Sequence, residues 1–210
     1  SNKASFITFI DKMQPEVVCV QEAIFSNGFP DEEFLERNYS VGEAPTRLLP
    51  FFDPGTYGNF ILSKYEVKGF EVHELPNSFN VTDPLELFRP RNFIHVQLAK
   101  QNGGVFDVIC THLEKNKSDN DLQMATVIKY INNLDTEGPV LLLGDMNREF
   151  QYTDLINASD IPIVEIPTMG EKTPDAIRVL RSDDRVRIFA YDTMGINSDH
   201  LALSAVLTES

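Results

Sequence analysis

Residues 140–147 read Val-Leu-Leu-Leu-Gly-Asp-Met-Asn, an apolar run followed at once by polar, turn-forming residues. A short apolar run of this kind is typical of a buried strand. Gly144, Asp145 and Asn147 all suit a tight turn, so on its own this segment is often only a turn. Its significance comes from the rest of the chain, because three other apolar runs also carry polar residues at one end.

The three further runs place their polar residues where strands are expected to end or begin. If the last of these strands runs antiparallel to its neighbours, all four polar clusters gather at one edge of the sheets. Enzyme sites are commonly built at such an edge, on loops that a rigid scaffold holds. The three runs are Val17–Val20 before Gln21-Glu22, Phe106–Cys110 before Thr111-His112, and Leu201–Leu207 after Ser198-Asp199-His200.

The acidic members of these clusters are oxygen donors. Glu22, Asp145 and Asp199 carry carboxylates, and the amide of Asn147 adds a neutral oxygen. Such groups suit Mg²⁺, Mn²⁺ or Ca²⁺, and no thiolate or group of histidines is present to favour zinc. Carboxylates about 4 Å apart repel one another in a low-dielectric site unless a cation joins them. The pattern therefore favours a divalent cation, with Mg²⁺ or Mn²⁺ as the expected cofactor.

Two histidines accompany these acids, His112 and His200. A histidine near neutral pH can donate a proton to a phosphoryl oxygen or accept one. A divalent cation stabilises the negative charge that develops on a phosphate. Together these residue types favour metal-assisted attack of water on a phosphoester.

The ordered motifs resemble those of the endonuclease/exonuclease/phosphatase superfamily, which includes pancreatic deoxyribonuclease, inositol-polyphosphate 5-phosphatases and bacterial sphingomyelinases. The resemblance runs from residue 4 to the C-terminus. It implies an α/β fold, a four-layer α/β/β/α sandwich of two mixed β-sheets with outer helices. The motifs that carry it are Gln21-Glu22, Gly58–Ser63, Thr111-His112-Leu113, Gly144–Asn147, Asp175-Ala176-Ile177 and Ser198-Asp199-His200.

The resemblance also implies roles for individual residues. Glu22 would bind Mg²⁺, and Asp199 would assist the metal site. Asp145 would orient or deprotonate the attacking water, and the neighbouring Asn147 would hold the phosphate or the metal.

The remaining implied roles concern the phosphate. His200 would contact it opposite the leaving group, and Asp175 would orient that histidine. His112 would be a second phosphate contact or an acid. Arg91 would be a substrate contact, although a solvated or salt-bridged arginine is an equally good interpretation of this residue.

We therefore expect one endonuclease/exonuclease/phosphatase-like domain over residues 1–210, a Mg²⁺-dependent hydrolase of phosphoester bonds. The substrate would be a phosphodiester in nucleic acid, phospholipid or a small phosphoester. The chain begins within the helix that follows the family's first strand, so we expect it to be incomplete at the N-terminus, with any targeting segment missing. This motivates an alternative function, a catalytically impaired member that acts as a binding domain. A hydrolase with a serine or cysteine nucleophile ranks last, because the sequence has no Gly-x-Ser-x-Gly motif.

Composition narrows the expected partners. The 210 residues carry a formal net charge of −14 at pH 7, which disfavours nucleic acid held by charge alone but leaves it possible. No apolar run approaches the roughly 20 residues of a transmembrane helix. We expect the protein to be a monomer. The sequence does not identify its compartment but is compatible with a cytoplasmic location. Cys19 and Cys110 lie inside apolar runs and are predicted to be buried thiols, with a disulfide or a redox role as the alternative.

The sequence also predicts most of the regular elements. Residues 4–13 read as a helix, residues 42–58 as loop, and His73 and His95 as structural residues. A second helix is predicted from a capping box at Ser118–Asp121 to Gly138-Pro139. Its expected apolar stripe consists of Leu122, Ala125, Ile128, Ile131 and Leu134. Strands are predicted at Val17–Val20, Phe60–Leu62, Gly69–Leu75, Asn92–Leu98, Val105–Thr111, Val140–Leu143, Ala176–Leu180, Val186–Tyr191 and Leu201–Leu207.

Overall fold

The computed structural model describes residues 2–25, 31–46, 56–77, 91–100, 103–148, 175–181, 186–195 and 201–209. These residues form three helices and ten strands. The helices are α1 (Asn2–Met13), α2 (Asp31–Leu35) and α3 (Lys117–Asn133). The strands are β1 (Val17–Phe25), β2 (Ser40–Thr46), β3 (Thr56–Ser63), β4 (Glu66–Glu74), β5 (Asn92–Ala99), β6 (Val105–His112), β7 (Val140–Asp145), β8 (Asp175–Arg181), β9 (Val186–Gly195) and β10 (Leu201–Glu209).

The strands form two main sheets and one further pair. The first sheet has the order β1-β3-β2 and is antiparallel throughout. The second has the order β4-β5-β6-β7-β8, in which only β6 and β7 are parallel. Helix α3 makes the crossover between these two parallel strands, as parallel pairing requires. Strands β9 and β10 pair antiparallel with each other.

Alternating side chains on the strands build three apolar cores, and these cores define four layers. Ile61 of β3 and Ile94 of β5 face each other between the two sheets. Their sequence neighbours point the opposite way, as the period of two requires: Phe60 packs with α1 and Phe93 packs with α3. The order is therefore α1, three-stranded sheet, five-stranded sheet, α3. This confirms the α/β/β/α sandwich of two β-sheets with outer helices; of the two sheets predicted to be mixed, the five-stranded one is mixed, whereas the described strands of the other are all antiparallel.

Every predicted strand is present in the structure, and one strand was missed. Strand β2 lies in a segment predicted as loop because of its glycines and prolines. Among the described strands it pairs with β3 alone and lies at the edge of its sheet, so Pro45 interrupts no second ladder of hydrogen bonds there. The prediction of loop over residues 42–58 was therefore wrong at 42–46, and also at 56–58, where β3 begins; the segment between them lies outside the described residues.

Helix α3 begins and packs differently from the prediction. Its N-cap is Asn116, whose side chain accepts a hydrogen bond from the Asp119 amide, so the capping box at Ser118 was wrong. The helix ends at Asn133, before the predicted stop. Leu122 of the expected apolar stripe is 49% exposed. The buried face instead includes two amides, Asn120 and Gln123, in its first turns.

The two cysteines form a disulfide, Cys19–Cys110, with Cα atoms 5.6 Å apart. It joins β1 of one sheet to β6 of the other, so the prediction of two thiols was wrong. Each cysteine lies in the apolar interior as expected, but on facing strands. The sequence contains no indication that these two strands face each other.

His73 and His95 belong to a polar and aromatic network on the α3 side of the five-stranded sheet. His95 bonds Asp107 through Nε2 (2.8 Å) and the Tyr130 hydroxyl through Nδ1 (2.7 Å). His73 stacks on Phe93. Burial would raise the pKa of the Asp107 carboxyl, but hydrogen bonds from His95 and Thr136 outweigh it, and the pKa lies below its usual value. These contacts agree with structural roles for both histidines.

None of the described helices combines the length and the apolar character needed to cross a lipid bilayer.

Candidate active site

The parallel strands β6 and β7 end side by side, and this pairing creates the centre of the candidate site. Their register places His112 next to Asp145, and His112 Nε2 lies 3.5 Å from Asp145 Oδ2. The Leu113 amide then donates to the Asp145 carbonyl (3.0 Å). Gly144 has φ +137°, and a Cβ there would stand 1.9 Å from the Thr111 carbonyl oxygen. Only glycine therefore allows the two strands to approach so closely beside Asp145.

Asn147 completes the turn after β7. Its amide donates to Asp145 Oδ1 (2.7 Å), and its side-chain Nδ2 donates to the Leu113 carbonyl (2.8 Å). Its backbone has φ 53°, a left-handed conformation that asparagine tolerates better than most residues. The turn thus fixes the Asp145 carboxylate from one side while His112 faces it from the other.

A bulge in β1 carries Glu22 to the same place from the other sheet. Val20 pairs with Phe60 and Ala23 with Gly58, so Gln21 and Glu22 together stand opposite one residue of β3. Such a bulge changes the direction of a side chain and is frequent beside active sites. Glu22 itself has φ 56°. Its Oε1 lies 3.8 Å from His112 Nδ1, and its side chain is 52% exposed.

Arg91, directly before β5, lies between these groups. Its Nη1 donates to His112 Nδ1 (2.7 Å) and lies 3.7 Å from Glu22 Oε1. Its Nε and Nη2 bond the two carboxylate oxygens of Glu114 at 3.2 and 3.3 Å. Because a guanidinium only donates, His112 Nδ1 is an acceptor and the ring proton lies on Nε2, towards Asp145.

A buried polar chain lies next to the bulge. Asn59, which stands opposite the bulge on β3, donates from Nδ2 to Asn92 Oδ1 (2.9 Å). Asn92 Nδ2 donates to the Ala44 carbonyl (3.3 Å), and the Thr111 hydroxyl donates to the Asn92 carbonyl (3.4 Å). These bonds tie the strands of both sheets together beside the site, and hydrogen-bonded polar networks of this kind rigidify a structure.

Five of the predicted site residues therefore come together: Glu22, Arg91, His112, Asp145 and Asn147. Asp175 begins β8, and its backbone pairs with Asp145 at the same end of the sheet. Asp199 and His200 lie outside the described residues. Sequence reasoning missed Glu114 and Asn92. Glu114 follows the Thr111-His112-Leu113 motif directly, and a carboxylate there could have been recognised as a partner for Arg91.

The charges and donor types of the site suit a cation. Among the described residues three carboxylates, of Glu22, Glu114 and Asp145, outnumber the guanidinium and the imidazole that they face, so this part of the site is negative. Glu22 and Asp145 lie on either side of His112. Their carboxylates supply hard oxygen donors, the ligand type that Mg²⁺ and Mn²⁺ prefer. Within the described ranges, no three acidic, histidine or cysteine side chains surround one position suited to a metal ion. The described residues therefore match a hard cation in donor type, but they do not form a complete set of ligands.

Solved structures with the same fold are numerous, and three illustrate it. An endonuclease/exonuclease/phosphatase from Beutenbergia cavernae superposes with a TM-score of 0.74 at 18% identity, covering 99% of this chain and 66% of that one. The human nocturnin catalytic domain with bound sulfate superposes with a TM-score of 0.75 at 16% identity, covering 100% of this chain and 86% of that one. D. rerio TDP2 complexed with a single-strand DNA product superposes with a TM-score of 0.71 at 16% identity, covering 99% of this chain and 91% of that one.

The sequence comparison extends from the fold to the family. No curated protein sequence matches the chain. The Endonuclease/Exonuclease/phosphatase family matches residues 1–188, a span that includes Glu22, Arg91, His112, Asp145 and Asn147. On this match, the chain belongs to the endonuclease/exonuclease/phosphatase family.

Proposed function

We propose that this chain is a divalent-metal-dependent phosphoesterase that hydrolyses a phosphodiester by attack of water. The observation that supports it best is the convergence of Asp145, His112 and Arg91 at one edge of the five-stranded sheet, where β6 and β7 end and β5 begins. A carboxylate, an imidazole and a permanent positive charge within hydrogen-bonding reach are the groups that phosphoester hydrolysis needs.

In this proposal Asp145 is the base. Its carboxylate is held by the Asn147 amide and faced by His112 Nε2. It takes a proton from water as the oxygen of that water bonds to phosphorus, and the P–O bond to the leaving group breaks. We assign His112 to the phosphate as a second contact or an acid; its Nε2 is buried here and faces Asp145. Asn147 holds the phosphate, and Arg91 contributes a positive charge that no pH change near neutrality removes.

Glu22 and Asp199 would hold Mg²⁺ or Mn²⁺, which supplies positive charge to the phosphate oxygens when bound. Glu22 is suited to this because its carboxylate is half exposed at the edge of the site. We further assign His200, oriented by Asp175, to the phosphate opposite the leaving group. The negative local charge that a cation would balance supports the metal dependence.

A phosphodiester is the preferred substrate class. D. rerio TDP2, which shares the fold, was solved with a single-strand DNA product, and human nocturnin was solved with sulfate, a tetrahedral anion like phosphate. The net charge of −14 argues against tight binding of a nucleic-acid backbone by charge alone. A small phosphodiester or a phospholipid is therefore a stronger candidate than duplex nucleic acid.

Turnover of bis-p-nitrophenyl phosphate tests the proposal. We expect hydrolysis with Mg²⁺ or Mn²⁺, no hydrolysis with EDTA, and a loss of about 10²- to 10⁴-fold in Asp145→Asn. Asp107→Asn is the matched control, because Asp107 is also a buried acid on the β6–β7 strand pair but bonds His95 and Thr136 instead. Turnover that persists in EDTA, or that Asp145→Asn leaves intact, would contradict the proposal.

A further inference from the structure

Helix α3 places two buried amides next to the loops that carry the site. Asn120 is 1% exposed and Gln123 is 0% exposed, although the sequence pattern predicted apolar residues on this face. A buried amide is costly unless its hydrogen bonds are made. The partners of these two side chains therefore indicate why they are there.

Asn120 bonds two loops at once. Its Nδ2 donates one hydrogen bond to the Glu114 carbonyl (2.7 Å), in the loop after β6, and another to the Met146 carbonyl (2.8 Å), in the loop after β7. Because both partners are carbonyls, Nδ2 must face them, and Oδ1 is buried without a hydrogen-bond partner among the described residues. The side chain thus connects two segments 32 residues apart in sequence through backbone groups alone.

The bonded carbonyls lie next to the proposed catalytic residues. Glu114 is two residues after His112, and Met146 stands between Asp145 and Asn147. The two loops also contact each other directly, through the Leu113 amide with the Asp145 carbonyl and through Asn147 Nδ2 with the Leu113 carbonyl. A shift of one loop against the other would therefore move His112 relative to Asp145.

We propose that Asn120 is a positioning residue, which clamps the loop after β6 to the loop after β7 and so sets the placement of His112 against the Asp145–Asn147 turn. It touches no substrate and acts through the backbone. This inference rests on the proposed function. Misplacement of reacting groups by about 1 Å can cost about 10²-fold in rate, so the effect of losing the clamp is measurable.

Gln123 provides a matched comparison on the next turn of the same helix. Its Oε1 accepts from the Glu114 amide (2.8 Å), and its Nε2 donates to the Pro76 carbonyl (3.0 Å) and Asn77 Oδ1 (2.9 Å). It therefore holds the loop after β6 but makes no bond to the described residues of the loop after β7, 146–148. Asn120→Leu and Gln123→Met each replace a buried amide by an apolar side chain of similar size.

The test measures amide hydrogen exchange by NMR in the full chain, together with turnover of bis-p-nitrophenyl phosphate. In Asn120→Leu we expect exchange at the Leu113 and Asn147 amides to accelerate by about tenfold or more. We also expect kcat to fall by about 10²-fold while KM changes by less than about threefold. In Gln123→Met the Asn147 amide should exchange as in the wild type, and kcat should fall far less.

A purely structural role for Asn120 would destabilise the two variants alike, and equal changes in exchange and kcat would overturn the inference. If Asn120→Leu does not fold, Asn120→Ser retains one donor and should give an intermediate increase in exchange. Unchanged exchange in Asn120→Ser would also overturn it. A wild-type protein that turns over no phosphodiester would contradict the proposed function instead, and the exchange data would still decide whether Asn120 clamps the loops.

Discussion

At the scale of single residues, the candidate site depends on unusual backbone conformations. Glu22 and Asn147 both have φ between 50° and 60°, a region that costs a residue other than glycine about 1–3 kcal/mol. The sequence identified both residues by their position after apolar runs. It could not predict their conformation, because the bulge at Glu22 exists only through the pairing of β1 with β3.

Gly144 offers a direct test of this backbone geometry. In Gly144→Ala the new Cβ would meet the Thr111 carbonyl oxygen at 1.9 Å, in addition to the cost of a positive φ. We expect a loss of more than about 3 kcal/mol in the free energy of unfolding, measured by urea denaturation. Gly103→Ala is the control, because Gly103 also has positive φ but no atom within 4 Å of the added Cβ. It should lose only about 1 kcal/mol. Equal losses in the two variants would contradict the close approach of β6 and β7.

At the scale of elements, periodicity located the strands well and described helix α3 less well. Strands β5, β6 and β7 are short apolar runs buried on both faces, and few other elements have this sequence pattern. The stripe predicted for α3 failed at Leu122 because the first turns of this helix pack against loop carbonyls, and these require donors such as Asn120 and Gln123. A pattern of hydrophobic residues cannot show that a polar residue is buried with its partners.

The start of α3 gives a prediction at this scale. Asn116 Oδ1 accepts from the Asp119 amide (2.9 Å), whereas the Ser118 hydroxyl donates to Asn116 Oδ1 and caps no amide. Asn116→Ala should therefore lower the free energy of unfolding by about 1 kcal/mol, the usual value of an N-cap. Ser118→Ala should lower it by less than about 0.5 kcal/mol, as for most surface substitutions. Chemical denaturation measures both, and a larger effect at Ser118 would place the cap where the sequence alone suggested it.

At the scale of the whole molecule, the sandwich could be predicted because its motifs occur in family order along the chain. The disulfide that links its two sheets could not be predicted in this way. Cys19 and Cys110 are 91 residues apart, and only the folded arrangement of β1 against β6 brings them together.

The disulfide should stabilise the sandwich by restricting the unfolded chain. For a loop of this length the chain-entropy model gives about 4–5 kcal/mol, and measured values are typically about 2–4 kcal/mol. We expect reductant to lower the urea midpoint of the native protein accordingly, without any substitution. Titration of thiols in the denatured, unreduced protein is the control and should find none. Two titratable thiols and an unchanged midpoint would show that the bond does not form.

The central claim is that Glu22 and Asp145, on either side of His112, act on one phosphoester in different ways. Titration of turnover with Mn²⁺ tests it most directly. Glu22→Gln should raise the Mn²⁺ concentration for half-maximal rate by at least about tenfold, because it removes a proposed ligand. Asp145→Asn should lower the maximal rate by about 10²- to 10⁴-fold with little change in that concentration. A Glu22→Gln protein that responds to Mn²⁺ as the wild type does, or an Asp145→Asn protein with full maximal rate, would contradict the account.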